Sequence, residues 1–349
     1  MGAAIGVNVG GVNVGNGRIE MTTRRKLVMA LGASALAPLT SFAQTPGKVW
    51  RIGFLAQRHL KFDDTDYYYG PFIQGMREQG YVVGKNLVIE WRSSEGKYER
   101  LPELAEELVR MKVDLLATAG TPAAQAVQKA TTTIPIVMIG VGDPLGSGLV
   151  NNLARPGGNR TALSNLNVEL GPKRLEMLLA MVPKLNRVAV LVNPANAVNL
   201  AVLKNIQAAA QQTGLKIQSV EARTRQEIAN GFTAMAAQKA NALIMVQDAF
   251  FISQQSQILD LVAKHRLPAI GAYSQWVESG GLMSYGQNYR ENARRAAVYV
   301  DKIFKGAKAG ELPVEQPTTF ELLVNLKTAK ALGLKVPQSI LIQATKVIE

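Results

Sequence analysis

Asp143, in Gly140-Val141-Gly142-Asp143-Pro144, and Asp248, in Val246-Gln247-Asp248-Ala249, each stand at the end of a short apolar run. A carboxylate in that place either receives a cationic group such as a ligand ammonium or caps a turn or helix. Ala119-Gly120-Thr121-Pro122 ends another such run and carries almost no side chain. Thr121 is expected as a helix N-cap with Pro122 in the first helical position. The small Ala119, Gly120 and Ala123 would leave the unpaired N–H groups of that helix start open to an anion; the other reading is a plain capped connection. Gln57 and Asn193 end further runs, and Asn193-Pro194 is either a turn or a polar contact. Tyr273 and the run Tyr67-Tyr68-Tyr69 offer rings to stack on a ligand or to pack, and His59 offers a polar lining. His265 is expected at a helix C-terminus, Trp276 in packing, and Arg155–Arg160 in a tight turn.

Several chemistries are missing. The chain has no cysteine, which excludes disulfides, thiolate catalysis and cysteine-ligated metals. Its two histidines are far apart in sequence and no HExxH spacing exists, so no metal site is expected. There is no GxGxxG, GxxxxGK[ST] or GxSxG motif, and no triad, so no cofactor is expected either.

The elements that must position these residues follow from the hydrophobic pattern. Apolar runs at Val49–Leu55, Leu87–Trp91, Val113–Ala117 and Ile134–Ile139 alternate with helical patterns such as Leu101, Leu104, Ala105 and Leu108. A second set follows at Val188–Val192, Leu215–Val220, Ala242–Val246 and Leu267–Ile270. The alternation predicts an α/β chain with parallel sheets, built as two Rossmann-like lobes of similar design. The expected division is 44–165 plus 284–315 for lobe 1 and 166–283 plus 316–349 for lobe 2. Several crossings between the lobes make a hinge, and a hinge permits closure on a ligand. Ligands of open α/β sheets bind beyond the carboxyl ends of the strands, where all the candidates above lie.

Residues 1–43 are expected to be no part of this fold. Arg24-Arg25-Lys26, the apolar stretch Leu27–Leu39 and Ser41-Phe42-Ala43 follow the order of a signal peptide, with cleavage near Ala43. The stretch around Arg24-Arg25 also resembles a twin-arginine signal. Met21 stands where such a peptide should begin, so residues 1–20 read as an upstream extension. The formal charge is +13 over 349 residues, but the basic residues are scattered and lack interleaved aromatics, which predicts no nucleic-acid surface.

Three stretches resemble a known family in the same order: "GTPAAQA", "IPIVMIGVGDPLGSGLV" with "ARPGGN", and "FELLVNLKTAKALGL". Together they are similar to ABC-transporter substrate-binding proteins, some of them receptors for tryptophan or phenylalanine. The likeness runs from about Val49 to about Val336. It implies the type I periplasmic-binding fold, with two lobes joined by a multi-strand hinge. It implies a monomeric periplasmic receptor that carries a small organic solute, an amino acid or carboxylate-like molecule, to a permease in the inner membrane. It also implies a ligand carboxylate on Gly120-Thr121, with polar contacts from the segment at Asp143 and from the opposite lobe near Asn193 and Asp248. The expected ligand-binding set is Gln57, Ala119, Gly120, Thr121, Asp143, Asn193, Asp248 and Tyr273. The alternatives are a periplasmic sensor subunit with the same ligand physics, and an enzyme using Asp143 and Asp248. A transcriptional regulator on this fold would need a DNA-binding head where this chain has an export segment.

Overall fold

The inner strands of this chain are apolar on both faces because helices cover both sides of each sheet. In the computed structural model, which describes residues 47–58 and 69–349, the first sheet is built in this way. Its strands are β1 (Trp50–Ala56), β2 (Leu87–Ser93), β3 (Leu115–Ala119), β4 (Ile136–Val141) and β5 (Arg160–Ser164). They lie in the order β2-β1-β3-β4-β5, all parallel. The helices between them are α1 (Tyr69–Glu78), α2 (Leu101–Arg110) and α3 (Thr121–Ala130). Helix α2 buries Leu101, Leu104, Ala105 and Leu108, the predicted stripe. Each fully buried leucine there contributes about 1.5–3 kcal/mol.

The second sheet has seven strands in the order β12-β11-β10-β9-β8-β6-β7. Five of them are β6 (Arg187–Val192), β7 (Lys216–Glu221), β8 (Ala242–Met245), β9 (Ala269–Gly271) and β10 (Met283–Gly286). These pair in parallel. Strand β11 (Glu321–Asn325) pairs antiparallel with β10, and β12 (Lys346–Ile348) adds parallel to β11. Helices α4 (Asn167–Met181), α5 (Ala197–Gln211), α6 (Arg225–Ala237), α7 (Ala249–Ser253), α8 (Gln255–Lys264) and α9 (Ser274–Glu278) connect the parallel strands. Between β8 and β9 the helical stretch is broken into two pieces, α7 and α8. The Ser253 hydroxyl donates to the Phe250 carbonyl at 2.7 Å, and such a bond competes with the helical ladder.

The chain passes between the sheets three times. It leaves β5 through Asn165 and Leu166 into α4, and it leaves β10 through Gln287 and Asn288 into α10 (Tyr289–Phe304). Helix α10 packs on α1 and β4 of the first sheet. The third passage follows Glu315, which bridges Leu163, and runs through 316–320 into β11. Short helices α11 (Leu326–Ala331) and α12 (Gln338–Gln343) then lead to β12. Lys48–Glu349 form one compact unit. The expected signal peptide, His59, Tyr67 and Tyr68 lie outside the described residues. No helix among the described residues is long and apolar enough to cross a membrane.

Candidate functional site

The ends of β1, β3 and β4 face the ends of β6 and β8, and a cavity of about 50 Å³ lies between the lobes. One lobe supplies Ala56, Gln57, Arg58, Ala119, Gly120 and Thr121, with Gly140 and Gly142 beside them. The other supplies Asn196, Val198, Gln247, Asp248, Ala249 and Ile252, while Asn165 and Asn167 come from the first crossing.

The lobe 1 wall is mostly backbone. Gly120 has φ 85° and ψ 162°, a conformation essentially confined to glycine. It turns the chain out of β3 and serves as the N-cap of α3, so Thr121 is the first helical residue and not the N-cap expected from sequence. The Thr121 hydroxyl is turned away from its own helix. It accepts from the Gly142 N–H at 3.0 Å and ties the helix start to the end of β4. The Gly120 N–H is taken by the Ile139 carbonyl, and the first helical bond runs from Ala124 to Gly120. Pro122 has no N–H, so helix geometry leaves the Thr121 and Ala123 N–H groups outside the ladder, at the positive end of the helix dipole. Gln57 is buried over this turn, donating from Nε2 to the Ala119 carbonyl at 3.0 Å. A Cβ on Gly120 would fall 2.4 Å from that nitrogen.

The lobe 2 wall is made of side chains. Asp248 caps α7 and is 2% exposed. Its Oδ1 accepts from the Phe250 N–H, Asn193 Nδ2 and the Tyr98 hydroxyl at 2.9–3.0 Å, and its Oδ2 accepts from Asn196 Nδ2 at 3.0 Å. Burial pushes this carboxyl above the ordinary aspartate value, and the four donors pull it back. Tyr98 belongs to lobe 1, so its bond spans the lobes. Burial and the adjacent Asp248 hold its hydroxyl well above the usual tyrosine range. The lobes also touch where Gly142 meets Val198; a Cβ on Gly142 would lie 2.6 Å from Val198 Cγ1. The lobes are thus in contact across the cleft at both places.

Of the residues expected at the site, Gln57, Ala119, Gly120, Thr121 and Asp248 line the cavity. Asp143 does not. It has φ 43°, and its Oδ1 turns back to accept from the Gly146 N–H at 2.8 Å, which stabilises the Pro144–Gly148 turn. Asn193 stands behind Asp248 and orients it. Tyr273 is 4% exposed and packs in the core, as does Trp276 against Gly271 and Gly281. His265 follows the last residue of α8 with its ring against Phe232. Sequence reasoning missed Asn165, Asn167, Asn196 and Val198. Asn196 gave a usable signal, because asparagine before an apolar helical pattern is an N-cap and N-caps sit at strand-end loops.

Comparison with known proteins agrees with this architecture. Residues 58–348 match the family described as ABC transporter substrate binding protein. A tyrosine-binding protein of Clostridioides difficile (strain R20291) is 26% identical over 265 residues, 76% of each chain. The ABC domain in complex with L-Trp from Streptococcus pneumonia superposes with a TM-score of 0.79 at 27% identity, covering 86% of this chain and 99% of its own. The ligand-free, open structure of a substrate binding protein with adhesive properties from Clostridium difficile reaches 0.61 at 26% identity, covering 86% and 99%. At equal coverage and nearly equal identity, the ligand-bound form fits better, in keeping with the contact of Gly142 on Val198. This chain belongs to the family of ABC transporter substrate-binding proteins and has the type I periplasmic-binding fold.

Proposed function

We propose that the protein is the periplasmic receptor of an ABC importer for an α-amino acid or a closely related carboxylate. One observation carries this reading: an interlobe cavity with the positive end of α3 on one wall and the Asp248 carboxylate on the other. A zwitterion complements both. Its carboxylate meets the start of α3 at Thr121, and its ammonium meets Asp248 Oδ2, which takes only one of the four donors. The cavity has room for this polar end of the molecule. A second cavity of about 410 Å³ shares Arg58 and Ile252 with the first and adds Ser253, Gln255, Ser256, Gln275 and Ser279; it can take the solute's side chain. The relatives that bind tyrosine and L-Trp support the amino-acid class.

Binding and closure are the whole of this function, with no covalent step. The mature chain acts as a monomer, freed of its signal peptide near Ala43, and delivers solute to an inner-membrane permease. A thermal-shift screen of the twenty L-amino acids and common carboxylic acids tests the reading. A ligand at about one hundred times its Kd adds about 2.7 kcal/mol to the folded state. Stabilisation by none of these compounds would remove the amino-acid assignment.

A further inference from the structure

Arg174 is fully buried in α4, and no carboxylate among the described residues is paired with it. Its Nε donates to the Tyr285 carbonyl at 2.8 Å and its Nη2 to Asn167 Oδ1 at 2.6 Å, while Nη1 has no acceptor. Burial lowers its pKa to about 10, which still leaves it charged at neutral pH. A cation held in this way needs a reason, because desolvation is unfavourable and no counter-charge offsets it.

The hydrogen bonds supply one. A guanidinium only donates, so Asn167 must turn its oxygen to Arg174. The Asn167 NH2 group then faces the other way, donating to Gln247 Oε1 and to the Tyr289 hydroxyl. Tyr289 also donates to Gln247 Oε1. With that oxygen engaged twice, Gln247 is left with its NH2 group as the end that faces the cavity it lines. The donor-only character of Arg174 is passed through two amides and fixes the polarity of the lobe 2 wall.

We propose that Arg174 is a positioning residue that sets Gln247 as a hydrogen-bond donor, so that the lobe 2 wall takes an anionic oxygen of the solute. This rests on the reading of the interlobe cavity as the solute site. Thr121, at the start of α3, lines the same small cavity from lobe 1. One carboxylate therefore divides its two oxygens between the lobes, and the solute's acid group itself ties them together. The buried cation favours an anion there and disfavours a neutral amide of the same shape.

Formate, with neutral formamide as its control, tests this without knowledge of the natural solute. The 15N-labelled side-chain amide of Gln247, identified by its loss in Gln247→Leu, is followed during titration. In the parent protein the signal shifts saturably with formate and at least tenfold more weakly with formamide. Arg174→Met weakens formate binding at least tenfold, and Arg174→Lys restores part of it. Gln247→Glu keeps the acceptor toward Asn167 and Tyr289 but turns a carboxylate to the cavity, so it abolishes formate binding in a folded protein. This variant decides the matter if Arg174→Met does not fold. A Gln247 signal unmoved by formate overturns the proposal, as does parent-like formate binding by folded Gln247→Glu. L-Tyrosine and L-tryptophan are titrated separately. Their failure with formate binding intact counts against the amino-acid reading alone.

Discussion

The two walls of the cavity are built by opposite means. Lobe 1 presents a helix start stripped of side chains, held open by a glycine at φ 85°. Lobe 2 presents Asp248 and Gln247, each oriented by a set of buried partners. The first wall is rigid because backbone geometry sets it. The second is set by side chains, with Asp248, Asn167 and Gln247 each oriented by hydrogen-bond partners. The difference teaches that a single cleft can combine a general anion site with a tuned polar surface, and that the two should fail differently when altered.

The largest effect is expected on the backbone wall. Gly120→Val adds about 1–3 kcal/mol of backbone strain and forces Gln57 off the Ala119 carbonyl. Calorimetry should show solute affinity down at least tenfold, and denaturation should show lower stability. On the other wall, Asp248→Asn replaces an acceptor surrounded by four donors with a group that must itself donate. One buried N–H or hydroxyl loses its partner, at about 1–3 kcal/mol in chemical denaturation.

How much of this was open to reading from sequence divides along the same line. Strand runs and the Gly120-Thr121 start are local patterns, and they were legible. Boundaries moved where a side chain intervened. The strand expected at Val113–Ala117 pairs only from Leu115, since the Asp114 carboxylate accepts from the Arg51 N–H ahead of it. Asp143 reads from sequence as either a ligand contact or a turn cap, and its left-handed backbone turns the carboxylate into its own turn. The polar network of lobe 2 was not legible, because Asn167, Gln247 and Tyr289 meet from segments far apart in the chain. Arg174 did leave a trace. It stands on the apolar stripe of Leu170, Leu178 and Met181, where an arginine has to be buried.

A smaller effect should separate closure from binding. Tyr98→Phe removes the bond that crosses the lobes and leaves Asp248 three donors. About 1 kcal/mol of closed-state stability should go, read as a larger radius of gyration in solution scattering at subsaturating solute. The same variant has a pH signature. Tyr98 keeps its proton in the folded state above its ordinary value of 10.0. Its contribution is whole below pH 10 and is lost as pH rises through the raised value. The alkaline decline in stability should therefore be shallower in Tyr98→Phe than in the parent. An effect of similar size belongs to Thr121→Ala, which loses the bond to the Gly142 N–H and costs about 1 kcal/mol in denaturation with the cavity otherwise intact.

The central claim is that this cavity reads the acid group of a small solute from both lobes. The most direct measurement is calorimetry of the parent protein with each L-amino acid and with the amine that lacks its carboxyl group. The account predicts one-to-one binding of at least one amino acid and at least a hundredfold loss, about 2.7 kcal/mol, for the matching amine. Equal affinity for the two would contradict it.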